Sequence, residues 1–133
     1  MIETVVIDVS GIIEILFRKE KMDDYINIIN ESELVITPNL YIPELTNTLW
    51  KYVKKNIYTE EECIQYIKDG IAYIDHFIDS KKLWQEALLE GIKNDHSIYD
   101  IFYMICARRE NATMLTCDND LIKICRKNDV KAY

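Results

Sequence analysis

The stretch that decides the fold is Val5-Val6-Ile7-Asp8, a short apolar run that ends in a carboxylate. The run is β-branched and does not alternate with polar residues, which is typical of a strand buried on both faces. Residues 34–37 and 113–117 have the same character, and helical patterns fill the segments between these runs. Short unalternating strands separated by helices indicate an α/β protein, with a central parallel sheet and helices on both faces.

The remaining segments have clear helix signals. Helices are predicted over about 10–18, 22–30, 43–55, 59–70, 81–93, 98–109 and 119–127. Ser10, Ser80 and Ser97 are the expected caps of three of them. Residues 73–78 are ambiguous and could hold a strand, and 130–133 could form a last edge strand. With three glycines, two prolines and no repeat or linker, residues 1–133 are predicted to form a single domain.

Composition excludes several classes of protein. The net charge of −7 argues against a large basic face that grips nucleic acid by its backbone. No apolar stretch approaches the roughly 20 residues of a membrane span. The four cysteines form no CxxC pair and lie among apolar neighbours, so reduced core cysteines in a cytoplasmic protein are expected. Trp50 and Trp84 lie on apolar helix faces and are predicted to be core.

Four acidic residues occupy positions that a structural role does not require. Asp8 and Asp118 end predicted strands, whereas Glu44 and Asp100 lie in first helical turns. Helix N-termini and strand C-termini gather at one edge of a parallel sheet, and ligands bind there. An ionised carboxylate beside an apolar core is costly unless it is paired or bound to a metal. We therefore expect the four carboxylates to share a metal site.

Each acid, taken alone, also has an ordinary structural explanation. Asp8 and Asp118 could be helix caps, and Glu44 could be a glutamate stabilised by the helix dipole. Asp100 could satisfy free backbone N–H groups. His76 and His96 lack the paired spacing of a zinc site and are predicted to be structural or surface residues. There is no GxGxxG or Walker A motif, which argues against a phosphate-cradling loop.

Four segments resemble the motifs of PIN domains, in the right order and spacing. They are Val6-Ile7-Asp8-Val9-Ser10, Pro43-Glu44-Leu45-Thr46-Asn47, the stretch from Ser97 through Tyr99-Asp100 to Ala107, and Leu115-Thr116-Cys117-Asp118-Asn119-Asp120-Leu121. The resemblance covers nearly the whole chain. The size of the chain is similar to that of VapC-type toxins of toxin–antitoxin pairs.

The resemblance implies a three-layer α/β/α sandwich and a Mg²⁺- or Mn²⁺-dependent endoribonuclease. It also implies an RNA substrate, a homodimer and inhibition by a small antitoxin protein. The catalytic acids would be Asp8, Glu44, Asp100 and Asp118. Of these, the aspartates would hold the metal, and Asp120 offers a second acid beside Asp118.

Further residues are expected to support this site. Hydrogen bonds from Ser10, Asn47 and Thr116 would hold the carboxylates in place. Lys51 and Lys54 form the basic cluster expected to guide an RNA strand. Hard oxygen ligands favour Mg²⁺ or Mn²⁺ over zinc.

Two alternatives remain open. A degenerate PIN domain would act only as a binding or dimerisation module. A phosphoaspartate protein would also have an aspartate after its first strand. However, a haloacid-dehalogenase-like phosphatase needs a second acid where this chain has Ser10, and a receiver domain needs adjacent acids where it has Val9.

Overall fold

The structure is a computed structural model that describes residues 3–133. Its centre is a sheet of four parallel strands in the spatial order β3-β2-β1-β4. The strands are β1 (Thr4–Ile7), β2 (Leu34–Pro38), β3 (His76–Ile78) and β4 (Thr113–Leu115). Val5 pairs with Val35 on one side and with Thr113 on the other. Residues 5–7 are fully buried, as the unalternating apolar run predicts.

Seven α-helices flank the sheet within the described residues. They are α1 (Val9–Leu16), α2 (Met22–Glu31), α3 (Tyr41–Lys54), α4 (Glu60–Ala72), α5 (Trp84–Asn94), α6 (Ile98–Arg109) and α7 (Asn119–Lys127). Helix α1 packs against α2, α3 and α4, whereas α6 packs against β1, β2 and β4 and against α5 and α7. The predicted α/β/α sandwich with a central parallel sheet is confirmed.

The order of the strands creates a crevice between β1 and β4. The chain runs outward from β1 to β2 and β3, then returns to place β4 on the other side of β1. In open parallel sheets, ligands bind at the carboxyl ends of the strands where the strand order reverses. Asp8 follows β1 and Thr116 follows β4, so both lie at this switch point.

Several local predictions were wrong. Helix α1 is capped by Asp8 instead of Ser10, because the Asp8 side chain accepts the backbone N–H of Gly11. Ser80 begins a 3-10 turn (Ser80–Lys82), and α5 starts only at Trp84. Ser97, in contrast, is at the predicted cap position of α6, although its side chain makes no capping hydrogen bond.

At the C-terminus, the predicted edge strand is reduced to one parallel bridge between Met114 and Ala132. Trp50 and Trp84 are 55% and 56% exposed, so both lie outside the core. Within residues 3–133, no helix combines the length and the apolar character needed to cross a membrane.

Candidate metal centre

One cleft of about 400 Å³ opens at the carboxyl ends of β1 and β4. All four acids singled out in the sequence line it: Asp8 from the end of β1, Glu44 from α3, Asp100 from α6 and Asp118 from the start of α7. The chain thus brings together carboxylates that lie up to 110 residues apart in sequence, from position 8 to position 118. The sheet topology produces this convergence, because helix N-termini and strand C-termini share an edge.

Asp8 is the buried end of the cleft and is held by three donors. Its Oδ1 accepts hydrogen bonds from the Ser10 hydroxyl at 2.7 Å and from the Gly11 backbone N–H at 2.9 Å. Its Oδ2 accepts one from the Thr116 hydroxyl at 2.5 Å. Burial nevertheless raises the pKa of Asp8 to about 6, since loss of hydration outweighs the three hydrogen bonds. The hydrogen bonds therefore fix the orientation of the side chain, but they do not fully offset the cost of burying its charge.

The close approach of α1 to β4 depends on Gly11. A Cβ atom there would lie 2.8 Å from the carbonyl oxygen of Leu115 and 2.9 Å from Cγ1 of Ile7. Both distances are shorter than side chains tolerate, so any other residue would push α1 away from the sheet. The Ser10 hydroxyl accepts the Cys117 N–H at 2.9 Å across the same gap. Glycine at this position thus allows hydrogen-bond donors from α1 and from the end of β4 to reach the same Asp8 carboxylate.

Glu44 stands on the first turn of α3, opposite Asp8. The hydroxyl of the fully buried Tyr103 donates to its Oε1 at 2.8 Å. Burial raises the pKa of Glu44, and the charges of Asp100 and Asp8 raise it further, while the bond from Tyr103 opposes the shift. Only Oε1 has a recorded protein donor among the described residues, so Oε2 is available to a ligand.

The third group is formed by Asp100, Asp118 and His96. His96 Nε2 lies 3.1 Å from Asp100 Oδ2 and 3.8 Å from Asp118 Oδ2. Burial raises the pKa of Asp100, and the neighbouring Asp118 adds to the effect, whereas the His96 contact lowers it. Asp118 also caps α7, because its Oδ1 accepts the N–H groups of Asp120 and Leu121. Its Oδ2 still faces His96.

His96, which was predicted to be a structural or surface residue, lies beside two of the four acids. Its side chain is 16% exposed and is one of three groups whose potential ligand atoms all lie within 4.8 Å of one another. The available signal was its position four residues before Asp100, just ahead of a helix start. The paired spacing of a zinc site does not include this arrangement.

Other predicted site residues differ in position. Ser10 and Thr116 contact Asp8, as expected from their place beside it. Asn47 is exposed, and no hydrogen bond from it to the four acids is recorded within residues 3–133; Thr48 lines the cleft instead. Residues three and four positions after Glu44 lie on opposite sides of it on the helix surface, and the packing of α3 turns the Thr48 side towards the cleft.

The predicted basic residues lie outside the cleft lining. Lys51 and Lys54 are exposed, and Lys54 Nζ stands 5.1 Å from the centre of the Trp50 ring. Asp120 is exposed as well and does not line the cleft. Lys19, which the sequence argument did not select, does line it, with its ammonium 3.9 Å from the carboxylate of Glu14.

The donor set fits a divalent cation. Several carboxylate oxygens remain free of protein donors among the described residues, including Oδ2 of Asp118 and Oε2 of Glu44. The pKa values of Asp8, Glu44 and Asp100 are all raised, chiefly by burial, so a bound cation would offset the cost of keeping these groups ionised. Carboxylate oxygens with water suit Mg²⁺ and Mn²⁺, and an imidazole suits transition metals.

Comparison with known proteins gives one family and several relatives. A protein-family model described as PIN domain matches residues 5–127. Ribonuclease VapC3 of Pyrobaculum aerophilum is 21% identical over 122 residues, which cover 87% of this chain and 90% of that protein. These matches span the whole region that carries the cleft.

Two solved structures share the fold. The crystal structure of PAE2754 from Pyrobaculum aerophilum superposes with a TM-score of 0.76 at 19% identity, covering 98% of this chain and 83% of that one. VapBC2 from Rickettsia felis, solved bound to a DNA fragment from the promoter, gives a TM-score of 0.68 at 16% identity, covering 98% and 97%.

Proposed function

The chain belongs to the PIN domain family, and on this basis we propose that it is a Mg²⁺- or Mn²⁺-dependent endoribonuclease, the toxin of a toxin–antitoxin pair. The observation that carries the proposal is the single cleft lined by Asp8, Glu44, Asp100 and Asp118. A binding module has no need of four carboxylates in one cleft, because their burial and mutual repulsion cost stability, as the raised pKa values of Asp8, Glu44 and Asp100 indicate.

The proposed roles follow from the contacts of each acid. Asp8, Asp100 and Asp118 would hold the cation, which supplies charge stabilisation at the phosphoryl oxygens and a more acidic bound water. Asp8 is suited to this role because Ser10 and Thr116 fix its orientation before the metal arrives. Asp120 remains the alternative to Asp118, although its exposure makes it the weaker candidate.

Glu44 is assigned a different task. Its Oε1 is occupied by the Tyr103 hydroxyl, and its Oε2 is left to hold the attacking water and take its proton. Attack of that water on phosphorus in line with the 3′ oxygen forms the new P–O bond and breaks the P–O3′ bond, and the leaving 3′ oxygen takes up a proton from solvent. The products are then a 3′-hydroxyl and a 5′-phosphate. Asn47, which we predicted to support a carboxylate, would reach the substrate only from the exposed side of α3.

The proposed partners are RNA, a second copy of the chain and a small antitoxin. RNA should bind weakly without metal, because the chain has a net charge of −7 and the cleft adds to the repulsion. Lys51 and Lys54 are exposed on α3, the helix that carries Glu44, and are proposed to guide the strand. The antitoxin proposal draws on the relatives whose names include VapC or VapBC.

The test is cleavage of a labelled RNA with Mg²⁺, with Mn²⁺ and with EDTA. We expect metal-dependent cleavage by the wild type, loss with Asp100→Asn, and no loss with Asp129→Asn. The control is matched because Asp129 is exposed and lies outside the cleft lining, at a φ of 60° that asparagine adopts readily.

Cleavage that persists in EDTA or in Asp100→Asn would contradict the assigned chemistry. A folded wild type that binds RNA or an antitoxin but cleaves nothing with either metal would favour the non-catalytic module. Growth arrest on expression separates a toxin from a housekeeping nuclease, and relief of the arrest by a co-expressed small protein would identify the antitoxin.

A further inference from the structure

We propose that His96 is a nitrogen ligand of the metal centre and that it makes the centre select first-row transition ions such as Mn²⁺ over Mg²⁺. The inference rests on the proposed metal-dependent function and adds the identity of one ligand and the resulting metal preference. None of the four motifs that carry the PIN resemblance contains His96, so the resemblance assigns it no role.

The separations around His96 fall within the range found between ligands of one ion. Ligands about 2.1 Å from an octahedral ion are about 3.0 Å apart when adjacent and about 4.2 Å apart when opposite. His96 Nε2 is 3.1 Å from Asp100 Oδ2 and 3.8 Å from Asp118 Oδ2. All three potential ligand atoms lie within 4.8 Å of one another, close enough for one ion to contact them together. An ordinary hydrogen bond explains the first distance but not the approach to the second carboxylate.

The backbone around His96 fixes its position. Helix α5 ends at Asp95 in the left-handed conformation, with φ of 49°, and the His96 N–H bonds back to the Gly91 carbonyl at 3.3 Å. Ile98 packs so tightly on Gly91 that a Cβ there has no room. The turn between α5 and α6 is therefore braced on both sides. It delivers the imidazole to the first turn of α6, where Asp100 stands.

The chemical consequence is selectivity. Mg²⁺ prefers oxygen ligands and gives up its water reluctantly, so an imidazole in its coordination shell adds little to its affinity. First-row transition ions gain from the same substitution of nitrogen for water, most strongly Fe²⁺, Ni²⁺, Cu²⁺ and Zn²⁺. Mn²⁺ stands at the weak end of that series, yet it accepts an imidazole more readily than Mg²⁺ does. A site of carboxylates alone holds both kinds of ion through charge. The same site with His96 should bind Mn²⁺ more tightly than Mg²⁺.

The chain offers a direct spectroscopic test, because histidine occurs only twice in its sequence. Protein labelled with ¹⁵N-histidine is loaded with Mn²⁺ and measured by electron spin echo envelope modulation. His76 serves as the matched control, since it is exposed on β3, and His76→Gln leaves His96 as the single labelled residue. We expect a directly bonded ¹⁵N signal in the wild type and in His76→Gln, and its loss in His96→Gln.

Competition between Mn²⁺ and Mg²⁺ measures the selectivity. We expect His96→Gln to reduce Mn²⁺ affinity on the order of tenfold or more, as loss of metal-site groups does, while Mg²⁺ affinity changes much less. A Mn²⁺-loaded wild type without bonded ¹⁵N would overturn the proposal, as would a Mn²⁺-to-Mg²⁺ ratio unchanged in His96→Gln. If His96→Gln does not fold, the comparison of wild type with His76→Gln still decides.

These readouts do not involve RNA. A bonded nitrogen in a protein that cleaves no RNA would refute the nuclease proposal and leave the metal ligand established. Metal-dependent cleavage without a bonded nitrogen would support the nuclease proposal and refute the ligand role of His96, which would then be a hydrogen-bond partner of Asp100 only.

Discussion

Replacing Asp8 with asparagine should stabilise the metal-free protein while abolishing cleavage. The structural reason is that Asp8 is a buried carboxylate with a pKa raised from 3.8 to about 6. Such a group binds its proton more tightly in the folded state, so folding is most favourable below pH 3.8, and stability is lost as the pH rises through 6. At about 1.4 kcal/mol for each pH unit, the loss is about 3 kcal/mol at pH 7.

Asparagine removes the charge and keeps most of the contacts. Its side-chain oxygen caps α1 about as well as aspartate does and can still accept the Gly11 N–H. The Thr116 hydroxyl must turn from donor to acceptor, which costs about 1 kcal/mol. The net gain at pH 7 is thus about 2 kcal/mol. For a chain of this size that corresponds to a rise of about 8 °C in Tm.

The assay is urea and thermal unfolding in EDTA between pH 4 and pH 7.5, with Asp129→Asn as control. The advantage of Asp8→Asn should be near zero or negative at pH 4, grow through pH 6 and then stay constant. Adding Mg²⁺ or Mn²⁺ should reduce the stability advantage of Asp8→Asn, because the metal stabilises the wild type much more strongly than the variant. An advantage that does not change with pH, or a variant less stable than wild type at pH 7, would refute the reasoning.

Three further predictions concern the surroundings of the cleft. Tyr103→Phe should lower the stability by about 1 kcal/mol and the cleavage rate roughly 10–100-fold, because Glu44 loses the donor that orients it. Urea unfolding and RNA cleavage measure the two effects. An unchanged cleavage rate would show that Tyr103 does not position Glu44. Gly11→Ala should destabilise the protein by about 1–3 kcal/mol through overpacking. A urea midpoint and a cooperativity of unfolding equal to those of the wild type would show that α1 can shift freely. Lys51→Glu with Lys54→Glu should weaken RNA binding and flatten its salt dependence without altering metal affinity, whereas an unchanged salt slope would place the RNA elsewhere.

The fold was predictable because its strands have an unmistakable character. Val5-Val6-Ile7 can only be buried on both faces, which requires a parallel sheet covered by helices. The edge elements were less predictable: β3 has only three residues, and the 130–133 segment forms only one bridge. Such short edges have no periodicity, and tertiary contacts decide whether they pair.

The site was predictable where topology alone positions a residue. Strand ends and helix starts brought Asp8, Glu44, Asp100 and Asp118 to one edge without knowledge of any distance. Asn47 and His96 required finer information. The face of α3 that meets the cleft is set by packing, and the turn that aims His96 depends on a left-handed Asp95. A left-handed residue other than glycine gives little warning in sequence.

Gly11 suggests how sequences related to this one would diverge. A carboxylate in the cleft can be exchanged for a neutral side chain with the fold retained, so lineages released from nuclease activity are free to lose Asp8 or Asp100. The missing side chain at position 11 is different, because the contact of α1 with the Leu115 carbonyl belongs to the architecture itself. Related proteins that have lost nuclease activity should therefore keep glycine at position 11 after their cleft carboxylates have been replaced. An alignment in which the carboxylates are retained while this glycine varies would contradict that expectation.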